Sequence, residues 1–443
     1  MIALIDKFNQ VEMSWTNVLT GEPTPELIDV YKGVPEINEL DNRGFPICRP
    51  LFSHSSLPNQ LEFNLIKSDE FDYDTKFTYF VHVHHNQKLW SKHIDLIPKK
   101  ILEEVRKEKC TLVFDNTLEG DRIDGRYLLL PLYGSINKLN LPGKQIVFIT
   151  NDLNAEKSHE YFLTSGLIKE PIKVISFMWN VHDVDRLRKN KFLRKIKNID
   201  TEINYKTKNI KKVKSFLKVN RTNRPERDLF MLFIEHENLY DKFKISFPQF
   251  GKETFPPHNE FEKYLTPSNV NSLLKKIPFD IDDTDKTNHG PAGYGEGNFN
   301  ADLPFQPIHY RNTFISVVMC AFPFVENCCH LHSSTFNPIY QGHPIIQFGP
   351  YKSLERIRER GFKTFDKWWD ETYDMETSEE KRMNQIVELV TELSQLTLSQ
   401  CERIYKEMYD VLEHNYNLRN KIKDSYQHEG CYSDVSYIKN NLK

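Results

Sequence analysis

The sequence lacks any long hydrophobic run. No window approaches the ~20 apolar residues that a membrane-spanning helix needs, so a membrane span is excluded. The start, MIALIDKFNQ, has no basic stretch leading into an apolar core, so no secretory leader is expected. Cysteines are few and odd in number: seven, scattered at 48, 110, 320, 328, 329, 401 and 431. That usage excludes a disulfide framework and points to reduced thiols and a cytoplasmic setting. Net charge is also nearly absent, at −3, so nothing global marks a nucleic-acid binder or a membrane-surface protein. Internal repeats and low-complexity tracts are missing as well.

What is present suits a globular α/β chain. Hydrophobic residues make up 39% and charged residues 27% of 443 residues, and 30 Phe with 20 Tyr supply ample burial area. A single core rarely grows past ~250–300 residues, so two domains are expected. Charge is unevenly spread: from Arg186 to Arg227 there are 16 Lys/Arg against three acids. This stretch reads as a solvated linker or as an electropositive wall beside a polyanion.

Four segments follow from pattern. Residues 1–75, rich in proline, read as an extended N-terminal arm. Residues 76–213 alternate strand and helix signals: FTYFVHVH (77–84), a helix over 98–107, TLVF (111–114), QIVFIT (145–150) and KVISFMW (173–179). Near-continuous apolar runs separated by helix-length segments predict a parallel, doubly wound sheet. Residues 214–398 repeat that alternation, with strands at 215–219, 313–319 and 344–348 and a helix through Leu229–Ile234. Residues 399–443 form a C-terminal helix and tail, the helix opening on Ser399 with Glu402 three residues on, a capping-box pattern.

Four constellations could carry chemistry. Arg221, Arg224 and Arg227 lie at spacing three, between the end of a strand and the start of a helix. Ligands in open α/β sheets bind beyond the carboxyl ends of strands, a helix N-terminus favours anions, and arginine suits bidentate phosphate contact. A diphosphate site is the chemical reading, and it requires the three guanidinium groups to face open space; a basic surface turn is the alternative. Ser333 and Ser334 precede a short helix that starts at Thr335, and the three bring hydroxyls to a sheet edge. Cys328, Cys329, His330 and His332 crowd together, but adjacent cysteines do not match zinc spacing, so no metal is expected. His82 and His84 share one strand face, a pattern more often met in half-buried, hydrogen-bonded histidines than in catalysis.

The stretch PIIQFGPYKSLERIRERGFKTFDKWWDETYD (344–374) resembles the fucosyltransferase-like glycosyltransferases of phages, algal viruses and marine bacteria. FLKVNRTNRPERDLFMLF (216–233), LLKKIPFDID (273–282), FISVV (314–318), ILEEVRKEKCTLVFDNTLEG (101–120) and QIVFITNDLNAE (145–156) also fit. The resemblance implies a GT-B-like fold, two Rossmann-like domains facing across a cleft with C-terminal helices. It implies a nucleotide-sugar substrate, GDP-linked by family habit, with no separate cofactor, and places its phosphates on Arg221, Arg224 and Arg227. Ser333, Ser334 and Thr335 would assist, with Glu119 or His84 as candidate base from the first domain. The acceptor would be a glycan, a protein or modified DNA. Two departures stand out: Cys320 where the family has an acid, and His332-Ser333-Ser334 where it has Thr-Glu-Lys. They raise an alternative, a catalytically inactive member serving as a structural or binding component, for example of a virion or a homo-oligomer. Host cytoplasm, or the virion itself, would then be the location.

Overall fold

The structure, a computed structural model, describes residues 2–5, 63–66, 76–82, 94, 97, 99–116, 123, 128–168, 170–176, 214–219, 224–247, 261–279, 310, 312–320, 328–331, 333–340 and 342–424. The chain divides into two units: Met1–Asn190 with Asn327–Leu331 and Gln427–Lys443, and Lys191–Glu326 with His332–Tyr426. Every pair of named strands is parallel, and helices connect them, so the protein is α/β. Among the described residues no helix is long and apolar enough to cross a membrane.

In the first unit, β1 (Ile2–Ile5) pairs with β2 (Phe63–Ile66). A separate sheet runs β3 (Phe77–His82), β4 (Cys110–Asn116), β5 (Ile146–Thr150) and β6 (Lys173–Ser176), in that spatial order. Its connecting helices are α1 (Lys99–Arg106), α2 (Leu130–Lys138) and α3 (Ala155–Leu163). All five residues of β5 are buried, which is why its sequence is apolar without alternation. Helix α1 places Ile101, Leu102 and Val105 on one inward face, as its spacing predicts.

In the second unit the strands are β7 (Lys214–Val219), β8 (Phe243–Ser246), β9 (Thr313–Met319) and β10 (Ile345–Phe348), in the order β10-β9-β7-β8. β7 therefore has its immediate successor on one side and the later strands on the other. That reversal between β7 and β9 is the topological switch point, where open α/β sheets bind ligands. Helix α4 (Pro225–His236) joins β7 to β8, with Pro225 at its first turn and Arg224 as an extended N-cap. Helix α5 (Pro267–Lys276) follows β8, and Thr266 caps it by accepting from the Asn269 N–H. Helix α6 (Ser333–Tyr340) lies between β9 and β10, and α7 (Ser353–Glu359) follows β10.

The C-terminal helices are α8 (Glu379–Ser394), α9 (Leu398–Glu407) and α10 (Tyr409–Asp424). The capping box differs from the expected one. Thr397, not Ser399, caps α9, its side chain reciprocating with Gln400. This frame buries Cys401 and Tyr405, and Tyr405 meets Phe314 of β9 edge-on at 6.0 Å. The single helix expected to open on Ser399 is two, α9 and α10.

Candidate functional site

The switch point of the second unit gathers charged residues that an apolar sheet would otherwise exclude. Lys218, on β7, is 1% exposed, and its Nζ lies 5.7 Å from the Phe230 ring centre. Burial holds its amine well below the usual lysine range, and Arg227 adds to the effect, while Glu226 and Cys320 act against it. Glu226, in the first turn of α4, is also buried. Burial raises its carboxyl, opposed by Arg227, its own backbone N–H, Arg224 and Lys218. Three basic side chains thus act on one carboxylate.

Arg224 is half-buried, and its carbonyl accepts from the Arg227 and Asp228 N–H groups at 2.9 Å each. Arg227 is 9% exposed. The expectation that these arginines face open space therefore does not hold for Arg227. Helix α4 is buried from Glu226 to Ile234, and only Arg224 and Pro225 at its start are half-buried. Arg221 lies outside the described residues, as do Glu119 and His84. His82 closes β3.

Across the switch point, Cys320 follows β9, and its N–H donates to the Phe348 carbonyl at 2.9 Å. Its Sγ lies 3.2 Å from Thr335 Oγ1, and both residues are fully buried. Thr335, Ser334 and Ser333 form the opening turn of α6, so the serines expected to precede that helix belong to it.

The segment that closes the 344–374 stretch acts within the fold. Asp374 Oδ1 accepts from the Leu354 N–H at 2.9 Å and Ser353 Oγ at 3.1 Å, and Oδ2 from the Glu355 N–H at 3.0 Å. An internal carboxylate therefore satisfies the first turn of α7. Glu371 Oε1 accepts from the Phe365 N–H at 2.8 Å, and Arg358 Nη1 spans Thr364 Oγ1 at 2.9 Å and Glu371 Oε2 at 3.2 Å. Burial pushes the Glu371 carboxyl up to about 7, against those hydrogen bonds and Arg358.

Cys328, Cys329 and His330 are buried, and their segment belongs to the first unit. Cys329 N–H donates to Asp152 Oδ1 at 2.8 Å, and the Leu153 N–H donates to the Cys329 carbonyl at 2.9 Å. Among the described residues no three His, Cys, Asp or Glu side chains are grouped to hold a metal ion.

Sequence reasoning missed Lys218 and Glu226. The signal was a lysine inside the apolar strand KSFLKV, whose neighbours Phe216 and Leu217 are buried. A charge placed where a parallel strand is covered on both faces needs a reason.

No protein-family model matches the chain, and no curated protein matches it. Among solved structures, the chain is similar to the crystal structure of an alpha,alpha-trehalose-phosphate synthase (UDP-forming) from Burkholderia vietnamiensis. The two are 10% identical, the match covers 83% of this chain and 73% of that one, and the TM-score is 0.34.

Proposed function

We propose that the protein is a glycosyltransferase-like protein whose second unit holds a nucleotide-sugar donor by its diphosphate. Support comes first from the switch point, where Lys218, Arg224 and Arg227 all act on the buried carboxylate of Glu226 in the first turn of α4. Arg224 and Arg227, with Arg221 three residues before Arg224 in sequence, would clasp the phosphates. Ser333, Ser334 and Thr335 would add hydroxyls from α6. The fucosyltransferase-like resemblance favours a GDP-linked sugar, and a glycan, protein or modified DNA as acceptor. A base from the first unit, Glu119 or His84, would take the acceptor proton as the glycosidic bond to the diphosphate breaks. Titration calorimetry with GDP, UDP and their sugars tests this reading. Saturable nucleotide binding that weakens about tenfold or more in Arg224→Ala supports it. No heat at millimolar nucleotide ends it.

A second reading, a non-catalytic structural or binding component, draws on a separate observation. Internal carboxylates sit at two helix starts, Glu226 at α4 and Asp374 at α7. Cys320 and His332-Ser333-Ser334 stand where the resembled family carries charged donor ligands. Isolation of the full chain in a stable particle or oligomer, with no turnover of sugar nucleotides, is the expected result on this reading. A monomer that consumes them excludes it.

A further inference from the structure

Asp152 sits in a socket made by the carboxyl ends of two strands of the first unit. Thr150, the last residue of β5, donates from Oγ1 to Asn116 Oδ1 at the end of β4, at 3.0 Å, and accepts from the Asp152 N–H at 3.3 Å. The Asp152 carbonyl accepts from the Ala155 N–H at 3.1 Å, and its Oδ1 from the Asn154 N–H at 3.0 Å, where α3 begins. Asn116, Thr150 and Asp152 are all fully buried. The carboxylate is thus fixed by its own sheet edge, and the same Oδ1 accepts from the Cys329 N–H at 2.8 Å. The Leu153 N–H donates to the Cys329 carbonyl at 2.9 Å, and Asp152 and His330 form an antiparallel bridge. A charge-assisted bond to the backbone fixes position and register, which apolar contact alone does not.

Residues 327–331 belong to the first unit, while the chain on both sides of them belongs to the second. Ahead of them lies β9, with Cys320 after it; beyond them lies α6, opening at Ser333. Those two ends of the excursion meet, with Cys320 Sγ 3.2 Å from Thr335 Oγ1. That contact holds the third residue of α6 to the end of β9, and the entry to the helix is left to the strap before it. Only His332 separates the fully buried Leu331 from Ser333, and two peptide units reach at most about 7 Å, so the docked strap bounds where α6 can begin. We infer that Asp152 is a positioning residue: by holding Cys329 it sets the first turn of α6, so that the sheet edge of the first unit governs part of the switch point of the second. The hold on α6 follows from these hydrogen bonds alone. Its consequence for nucleotide binding rests on the donor reading, because that turn carries Ser333, Ser334 and Thr335.

The test is amide hydrogen exchange of the full chain, read by mass spectrometry, in Asp152→Ala, Asp152→Asn and Cys329→Pro. Asp152→Ala removes the acceptor. Cys329→Pro removes the donor and leaves Asp152 in its socket. Exchange across α6 is expected to be at least about tenfold faster in Asp152→Ala and Cys329→Pro, and close to parental in Asp152→Asn, which keeps Oδ1 as an acceptor. A merely structural Asp152 would loosen β5 and α3 of its own unit and leave α6 unchanged, and that outcome overturns the inference. If Asp152→Ala does not fold, Cys329→Pro decides alone, and parental exchange across α6 in that variant overturns the inference. GDP titration of the same proteins separates the two readings. GDP binding about fivefold or more weaker in both disrupting variants, together with faster exchange across α6, supports both. Faster exchange across α6 in the variants of a parent that binds no GDP leaves Asp152 standing and removes the donor reading. Parental GDP affinity and parental α6 exchange in both variants leave the donor reading standing without Asp152.

Discussion

Asn415 of α10 holds Lys363 by both of its backbone polar groups: Asn415 Oδ1 accepts from the Lys363 N–H at 2.8 Å, and Asn415 Nδ2 donates to the Lys363 carbonyl at 2.9 Å. His414 Nε2, next along the helix, lies 2.8 Å from the Gly361 carbonyl. Gly361 adopts a φ of +83°, a conformation that L side chains rarely accept. The GFKTF block at 361–365 is thereby fastened to the last described helix. It belongs to the stretch that carries the family resemblance, and its described contacts are those of a structural latch.

Asn415→Ala removes both hydrogen bonds and leaves two backbone groups without them, so it is expected to cost about 2 kcal/mol. Asn415→Asp keeps the acceptor and loses the donor, so it falls between. Urea unfolding midpoints at unchanged slope check the order. An Ala variant as stable as the parent would show that the latch is ornamental.

Asp374 is a cap supplied from outside its helix. It is 1% exposed and accepts from two N–H groups and one hydroxyl at the start of α7. Asp374→Ala orphans those donors and is expected to destabilise by about 2–4 kcal/mol. Asp374→Asn keeps one acceptor oxygen and is expected to lose about half as much. Thermal unfolding of the three proteins side by side gives the ranking, and an Asn variant worse than Ala would contradict the capping account.

Two buried groups push stability in opposite directions with pH. Burial raises the Glu371 carboxyl from its ordinary 4.5 to about 7. The folded state therefore binds more protons than the unfolded between those values, and this contribution is full below about 4.5 and lost as pH rises through about 7. Burial lowers the His159 imidazole from 6.5 to about 4, where it pairs with Tyr133 Oη at 2.8 Å. That contribution is full above 6.5 and lost as pH falls through about 4. Each is on the order of 2–3 kcal/mol. Glu371→Gln is expected to remove the loss on the neutral side, and His159→Gln the loss on the acid side. Stability measured from pH 4 to 8 in both variants decides it; unaltered pH profiles would refute both assignments.

The strands were legible where burial is total. IVFIT in β5 and TFISVVM in β9 are apolar at every position or nearly so because both faces are covered. β8, only four residues with alternating burial and a lysine inside, carries too weak a signal to read. The start of α9 was ambiguous because Thr397-x-x-Gln400 and Ser399-x-x-Glu402 satisfy the same pattern two residues apart. Only the need to turn Cys401 and Tyr405 inward selects the first. At the candidate site, the helix was read from its apolar residues Leu229–Ile234, whereas it starts at Pro225 with Arg224 as its N-cap. The burial of Arg227 and Lys218 was not legible, since charge is ordinarily a sign of exposure. The docking of Cys329 on Asp152 joins residues 177 apart, a pairing that local spacing does not encode.

Gly349, at the end of the PIIQFG run, allows a backbone approach that no other residue permits. A Cβ there would stand 2.6 Å from Ser353 Oγ, 2.9 Å from Ser353 Cβ and 3.0 Å from Gln347 Nε2. The serine has no room to yield: it is fully buried and its hydroxyl is held by Asp374 at 3.1 Å. Gly349→Ala is therefore expected to cost about 1–3 kcal/mol through overpacking. Ser353→Gly removes both of the closest atoms, at its own cost in hydrogen bonding and helix stability. The double variant should then be more stable than the sum of the single losses by about 1 kcal/mol or more, because the clash no longer exists. Thermal unfolding of the four proteins completes the cycle. Strict additivity would mean that the backbone between β10 and α7 shifts to accept the methyl group, and that glycine is not required there.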